Sequence, residues 1–288
     1  MSDRPRILIT GATDGIGRLA ALELARRGAR LILTARSEAK AEQTCAAIES
    51  VAPGTPVDVH VADFSDLAAV AAAGKAIAAR HPRLDVLINN AGLHAFEQRI
   101  TRDGFAEMIA VNYLAPWLLT DCLRETLVRS APSRVVTVGS QASRGSGGLD
   151  IEADLFDTAP FSARGSSRIY GRTKLLDIMF SLELARQLDG TGVAVNCLCP
   201  GFNVTGLGRE LRFARPLASV LNRFGIGDPR RGAEAIVRLA IDPAFGGQTG
   251  AYVAGRDARP LAPAAPADNG QARRHLWART TEILSRFR

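Results

Sequence analysis

Lysine is almost missing from this 288-residue chain. Of its 36 lysines and arginines, only Lys40, Lys75 and Lys174 are lysine. Tyrosine occurs three times, tryptophan twice and methionine three times. The four cysteines, Cys45, Cys122, Cys197 and Cys199, lack the spacing of a metal motif. Cys197 and Cys199 fall in a run that reads as a buried strand, as expected of reduced core thiols in a cytoplasmic protein. His60, His81, His94 and His275 are read as forming no cluster, so no metal is expected. No apolar run approaches the ~20 residues that cross a bilayer, and no signal sequence is read ahead of a first strand beginning at Arg6. No membrane role is therefore expected. The net charge of +7 comes from scattered arginines, without the basic run and interleaved aromatics of a nucleic-acid binder. An anionic small-molecule ligand and general solubility account for part of the excess.

Scarcity gives weight to the segment Tyr-Gly-Arg-Thr-Lys at 170–174. A lysine kept where arginine is the rule marks a place where the two differ: an ammonium is a compact point charge, a guanidinium a broad fork. On a helix, positions i and i+4 share a face. A nearby ammonium stabilises phenolate and is expected to lower the Tyr170 pKa from its ordinary value near ~10, which suits a general acid or base. Taken alone, such a pair is more often a surface contact worth about 0.2–0.5 kcal/mol. Four further elements, in order along the chain, change that weighting.

The first is Thr-Gly-Ala-Thr-Asp-Gly-Ile-Gly at 10–17, between an apolar run, 6–10, and an apolar-periodic helix from Ile16 to Arg27. Gly11, Gly15 and Gly17 permit a tight turn and close backbone approach to a pyrophosphate at a helix N-terminus. The second is Arg36, after the run 30–35. A strand-end acid would hold a ribose hydroxyl, whereas an arginine accommodates a 2′-phosphate. Arg36 reads either as that arginine, favouring NADP(H), or as an exposed strand end, and Asp14 adds an opposing carboxylate in the glycine loop. The third is a pair of strand tips. Asp63-Phe64 reads as ligand-binding or, at Asp63, as the cap of a helix starting near Asp66; Asn90-Ala91-Gly92 reads as ligand-binding or as turn chemistry. The fourth is Ser140, ending the strand 134–139, either a simple terminus or a donor to a substrate carbonyl.

Strand and helix patterns alternate from Ile7 to about Val253, which predicts one α/β domain with a doubly wound parallel sheet and helices on both faces. Seven strands are expected, at 6–10, 30–35, 57–62, 84–89, 134–139, 193–198 and 251–254. The dinucleotide-binding domain is read as 1–258. A Pro/Ala-rich linker and a terminal helical segment follow at 259–288.

At this point the chain resembles the short-chain dehydrogenase/reductase family over almost its whole length, with its Rossmann-type fold. The glycine loop, Asn-Asn-Ala-Gly at 89–92, Asn112, the strand ending at Ser140, the Tyr170–Lys174 pair and Pro200-Gly201-Phe-Asn-Val-Thr205 follow the family's motif order. The resemblance implies that Tyr170 is the catalytic acid/base and that Lys174 holds the nicotinamide ribose. It implies that Ser140 binds the substrate oxygen and that Asn112 fixes a helix kink and a relay water. It further implies cofactor contacts at Gly11, Thr13, Asp14, Gly15, Ile16, Gly17, Arg36, Asp63, Phe64, Asn90, Ala91, Gly92, Pro200, Gly201, Asn203 and Thr205; NADP(H) is the cofactor expected from Arg36. Within the family the wording is similar to retinol-dehydrogenase-like bacterial members, including polyketide-tailoring ketoreductases.

Two segments bear on substrate. The stretch 145–168, which lengthens the interval between Ser140 and Tyr170, is expected to form an added loop or short helix at the site mouth. It would obstruct the pairing of tetrameric relatives and leave a monomer or homodimer. The stretch 205–228 carries an apolar stripe that includes Leu207 and Leu211, and reads equally as a substrate lid or as core packing. With His94 just past the Asn-Asn-Ala-Gly tip, these residues suggest a bulky hydrophobic carbonyl substrate. The expected reaction is NADPH-dependent reduction of a ketone or aldehyde. Oxidation of a secondary alcohol and a non-catalytic NADPH sensor are the alternatives.

Overall fold

The computed structural model describes residues 4–201 and 228–288. Strands β1 (Arg6–Thr10), β2 (Arg30–Ala35), β3 (Val57–Val61), β4 (Val86–Asn89), β5 (Ser133–Val138), β6 (Val193–Cys199), β7 (Ala251–Ala254) and β8 (Arg259–Pro260) form one sheet in the order β3-β2-β1-β4-β5-β6-β7-β8. The first seven pair in parallel. Helices cover both faces, so central strands are buried throughout: all seven residues of β6 are, as expected of a parallel sheet. The helices are α1 (Gly15–Arg26), α2 (Glu38–Val51), α3 (Leu67–Arg80), α4 (Glu107–Ile109), α5 (Ala115–Arg129), α6 (Ile151–Asp154), α7 (Ala163–Gln187), α8 (Pro229–Ile241) and α9 (Gly270–Leu284). Two apolar layers result. One packs α3, α5, α7 and α9 on one face through Leu8, Trp117 and Ile178. The other packs α1 and α8 on the opposite face through Ile9, Leu24 and Ile236.

The expected seven-stranded sheet gains an eighth strand. Gly255, at φ 67°, and Ala258, at φ 48°, reverse the chain after β7 and lay Arg259 and Pro260 antiparallel beside Ala254 and Val253. Proline lacks the N–H a central strand needs and is tolerated at a sheet edge. A two-residue strand containing it leaves no periodic signature.

Beyond β8 the chain returns to the core. Asn269 caps α9 by accepting from the Gln271 and Ala272 N–H groups. Trp277 lies against Trp117 and Phe180, with ring centroids 5.1 and 6.1 Å away. Tyr113 Oη and Thr280 Oγ1 are 2.6 Å apart in the interior. The 145–168 stretch also joins this wall. It contains α6, and its last residues are the first turns of α7, which begins at Ala163. Glu152 meets Arg279 at 2.9 Å and His275 at 3.1 Å, and the Arg279 guanidinium lies 5.4 Å from the Phe156 ring centre.

Leu276 is 1% exposed. Leu276→Ala should cost about 2–5 kcal/mol in global denaturant unfolding, because it opens a cavity in the shared core. A terminal segment that folded apart from the domain would leave the main transition unmoved.

Candidate active site

Parallel pairing sends the C-terminal ends of seven strands to one edge, and the chain reverses its direction of travel across the sheet between β1 and β4. Ligands bind at such a switch point in open α/β sheets. Thr10 fastens it: its Oγ1 accepts from Asn90 N at 3.0 Å and Ala91 N at 2.9 Å. The Asn90 side chain returns the contact, donating to Thr10 O at 2.9 Å and Gly11 O at 3.3 Å. A Cβ on Gly11, at φ +65°, would come within 2.9 Å of Ala91 Cα, and one on Gly17 would collide with the Asn90 amide. Both glycines are therefore demanded by close packing of the loop. Asp14 caps α1, accepting from Gly15 N at 2.6 Å, so its carboxylate has a structural partner. Beside the loop, Thr13 is half-buried and Ile16 buried.

Arg36 is exposed immediately after β2. Asp63 Oδ1 accepts from Ser65 N and Ser65 Oγ, both at 2.9 Å, and Phe64 is buried. Of the two readings of Asp63, the cap is excluded: Asp66 caps α3, through Ala69 N at 3.2 Å. A glycine loop opening onto a twelve-residue helix, an exposed arginine beside it and strand tips along one edge together fit an anionic dinucleotide. Pro200 and Gly201 follow β6 at the same edge. Asn203, Thr205, Leu207, Leu211 and nearly all of 205–228 lie outside the described residues.

Tyr170, Lys174 and Asn112 converge beside this loop. Lys174 Nζ lies 5.8 Å from the Tyr170 ring centre. The ammonium is buried and donates to Val138 O at 2.9 Å and Asp177 Oδ2 at 2.8 Å. A Cβ on Gly92 would sit 3.4 Å from Asn112 Oδ1 and 3.7 Å from Lys174 Nζ. Asn112 accepts from Leu93 N at 2.8 Å and donates to Leu93 O and Thr173 Oγ1, both at 2.9 Å. It belongs to a π-helical turn, Ala110–Leu114, between α4 and α5. The reason is local: Pro116 has no N–H, so the α-helical bond to the Asn112 carbonyl cannot form.

Burial would strip the Lys174 proton, but Asp177 and Tyr170 more than offset it and the ammonium stays charged. Burial pushes the Asp177 carboxyl up to about 6 against the pull of Lys174, which leaves it ionised at neutral pH. The expected lowering of the Tyr170 pKa is overturned in the balance. Burial raises it, Lys174 pulls it down, and Asp177 and Cys199 push it up again, so the phenol ends above its ordinary range. The ammonium that would stabilise phenolate already has a counter-charge.

Ser140 caps a short 3-10 turn, Gln141–Gly145, through Ala142 N at 3.1 Å. That turn packs on α7 beside Tyr170, where Gly171 leaves room: a Cβ there would stand 2.5 Å from Ala142 O. His94 stacks on Tyr170, with centroids 4.7 Å apart at 15°, and on Phe96 at 4.8 Å. His94 Nε2 lies 3.2 Å from Ser166 Oγ.

Sequence reasoning missed Thr10, Thr173 and Asp177. Thr10 and Thr173 act through contacts 61 or more positions away along the chain, and nothing local marks them. Asp177 had a signal: an acid inside the apolar stretch Leu175–Phe180. The histidine expectation is also corrected. His60 and His81 do meet, around Asp58, because α3 brings its C-terminal end back to β3.

The family model described as short chain dehydrogenase matches residues 5–149. Retinol dehydrogenase 14 of Mus musculus is 38% identical over 284 residues, covering 94% of this chain and 83% of that protein. The chain belongs to the short-chain dehydrogenase family. Its place there makes it an oxidoreductase of carbonyl/alcohol chemistry that uses NAD(P)(H). A solved structure of this short-chain dehydrogenase's fold, from Mycobacterium paratuberculosis, has 28% identity and a TM-score of 0.75, covering 99% of this chain and 96% of that one. The Pseudomonas aeruginosa RhlG/NADP active-site complex has 25% identity and a TM-score of 0.67, covering 87% and 94%. Among the described residues of the dehydrogenase, no helix is long and apolar enough to cross a membrane.

The Lys174–Asp177 pair generates a stability prediction. Asp177→Ala leaves a buried ammonium without its counter-charge and should cost about 3–5 kcal/mol in denaturant unfolding. Asp177→Asn keeps an acceptor in place and should cost clearly less. Equal losses would mean that shape, not the ion pair, sets the contribution.

Proposed function

We propose that this enzyme catalyses NADPH-dependent reduction of a bulky, hydrophobic ketone or aldehyde to the alcohol. The carrying observation is geometric: a half-buried Tyr170 phenol on α7 with the buried Lys174 ammonium 5.8 Å from its ring centre, a proton donor with a cation beside it. Arg36, with no acid at the end of β2, supports the phosphorylated cofactor, as does the NADP complex of the Pseudomonas relative. His94 and Phe96 make an aromatic wall at Tyr170. The retinol dehydrogenase name of a relative points the same way, to a large apolar substrate. Leu207 and Leu211 are proposed as substrate residues, and a monomer or homodimer is the proposed assembly.

The dinucleotide, when bound, supplies hydride. The glycine loop and the α1 N-terminus would hold its phosphates, Arg36 its 2′-phosphate, and Lys174 its nicotinamide-side ribose. Ser140 and Tyr170 hydroxyls donate to the carbonyl oxygen and stabilise charge developing on it. As the carbonyl carbon gains hydride, Tyr170 Oη gives its proton to the oxygen, completing the alcohol. The resulting phenolate is stabilised by Lys174 and reprotonated from solvent through water bound at the Asn112 turn. Asp177 is a positioning residue: it holds the ammonium on α7 and keeps the phenol pKa high.

The test is consumption of NADPH, with NADH in parallel, against polycyclic quinones, aromatic polyketides, steroids and retinal. Tyr170→Phe should lower turnover by about 100-fold or more while cofactor titration is unchanged; retained turnover would remove Tyr170 from proton transfer. Arg36→Ala should raise KM for NADPH by about tenfold, the worth of one charge-assisted contact, and leave NADH unaffected. An equal effect on both cofactors would remove the 2′-phosphate from the reading.

A pH profile follows from the Tyr170 shift. A raised phenol pKa keeps the donor protonated across neutral pH, so reduction should hold there and decline only as pH climbs through that raised value. Asp177→Asn removes a nearby negative charge, lets Lys174 lower the phenol pKa, and should move the alkaline limb to lower pH. An unmoved limb would show that Asp177 does not act on Tyr170.

A further inference from the structure

Asp58, His60 and His81 bring one carboxylate oxygen and two imidazole nitrogens within 4.8 Å of one another. Asp58 and His60 are two apart on β3 and share a face, alternating with Val57, Val59 and Val61. His81 directly follows α3, where its N–H closes on the Ile77 carbonyl at 2.8 Å. Asp58 Oδ2 lies 2.9 Å from His81 Nε2 and 3.7 Å from His60 Nε2. A tetrahedral cation with ligands at about 2.0–2.2 Å spaces its donors about 3.3–3.6 Å apart, and these two separations bracket that span. His60 Nε2 is buried with no hydrogen-bond partner, a costly state for a polar atom unless something fills it.

One positive charge already sits here. Arg80 Nε reaches the same Asp58 oxygen at 2.6 Å, from a side chain that is 68% exposed. A guanidinium so exposed can swing into solvent at little cost, since exposed ion pairs contribute about 0–1 kcal/mol. The neighbouring β2 partners, Ile32 and Thr34, bring no competing charge.

We propose that Asp58, His60 and His81 form a binding site for a divalent transition cation of the zinc class, with Arg80 the counter-charge that such an ion displaces. Two imidazoles and a carboxylate suit zinc far better than magnesium or calcium, which prefer all-oxygen sets. The three ligands leave a fourth position for water. The ion ties edge strand β3 to the end of α3, and the site shares no residue with the Tyr170 centre.

The experiment uses full-length protein without an affinity tag, stripped by chelator and titrated with Zn2+ against a chromophoric indicator, with Mg2+ as control. One equivalent of zinc should bind per chain, and Mg2+ should not compete. His60→Ala should weaken binding by about 100-fold or more, since losing even an outer-shell partner costs about 10–100-fold. Arg80→Ala, which alters only an exposed side chain, should tighten binding by removing the competing cation. Zinc should raise the Tm of the wild type and of Arg80→Ala but not of His60→Ala. Zinc uptake equal in wild type and His60→Ala overturns the site, as does an Arg80→Ala protein that binds zinc no better than wild type.

Discussion

The catalytic end of this molecule depends on two parallel strands being held together where the chain changes direction across the sheet. Beyond the backbone ladder, one hydroxyl fastens the two tips. Thr10 Oγ1 accepts two backbone N–H groups from the tip of β4, groups that a strand end would otherwise leave to water. Asn90 closes the circuit by donating to the glycine loop. The packing is so close that neither Gly11 nor Gly17 has room for a Cβ. The loop that would receive a pyrophosphate is therefore shaped by contacts with a strand 80 positions away, and its glycines answer to β4 as much as to a ligand.

A second constraint follows from placing an ammonium inside the fold. A buried charge is tolerated only with partners, and Lys174 has two that belong to the protein, Val138 O and Asp177. The carboxylate that makes the lysine tolerable also dilutes its effect on the neighbouring phenol. Stability and acid strength are thus opposed at one residue. The arrangement raises the Tyr170 pKa and so favours the protonated form that the proposed reduction uses.

Much of this was legible in the chain. All seven parallel strands fall within about two residues of where the sequence placed them: central strands buried on both faces are apolar throughout, and edge strand β3 keeps the alternation Val-Asp-Val-His-Val. The candidate-site motifs at 10–17, 63–64, 89–92 and 140 were legible for a related reason: each sits at the tip of such a run, whereas Asn112, Tyr170 and Lys174 lie on helical turns. What escaped was long-range or short-lived. The β8 strand has two residues and a proline. The meeting of His60 with His81 depends on α3 returning to β3 at a particular phase, which spacing along the chain does not reveal. The start of α7 at Ala163 was hidden by Gly165 and the serines around it, residues that favour turns over helix interiors. Asp177 was the one readable omission, a lone acid on the buried side of a helix.

The residues outside the motifs bear on why the site takes what it takes. The α6 segment and α9 are joined by Glu152 to Arg279 and His275, and by Arg279 over Phe156. Arg172, two residues past Tyr170, binds Asp154 at the end of α6. Trp277 reaches from α9 to Phe180, further along the same helix. Tyr170 is thus carried on a helix braced from two added segments, neither part of the motif set. The exposed Glu152 pairs contribute little one by one, but with the largely buried Arg172–Asp154 pair they lie over a contiguous aromatic and aliphatic core that includes Leu276 and Leu284. A helix fixed in this way holds its tyrosine in place before any ligand arrives, which is what positioned proton transfer requires. The proposed chemistry rests on a few motif residues, whereas their alignment rests on packing that leaves no motif behind.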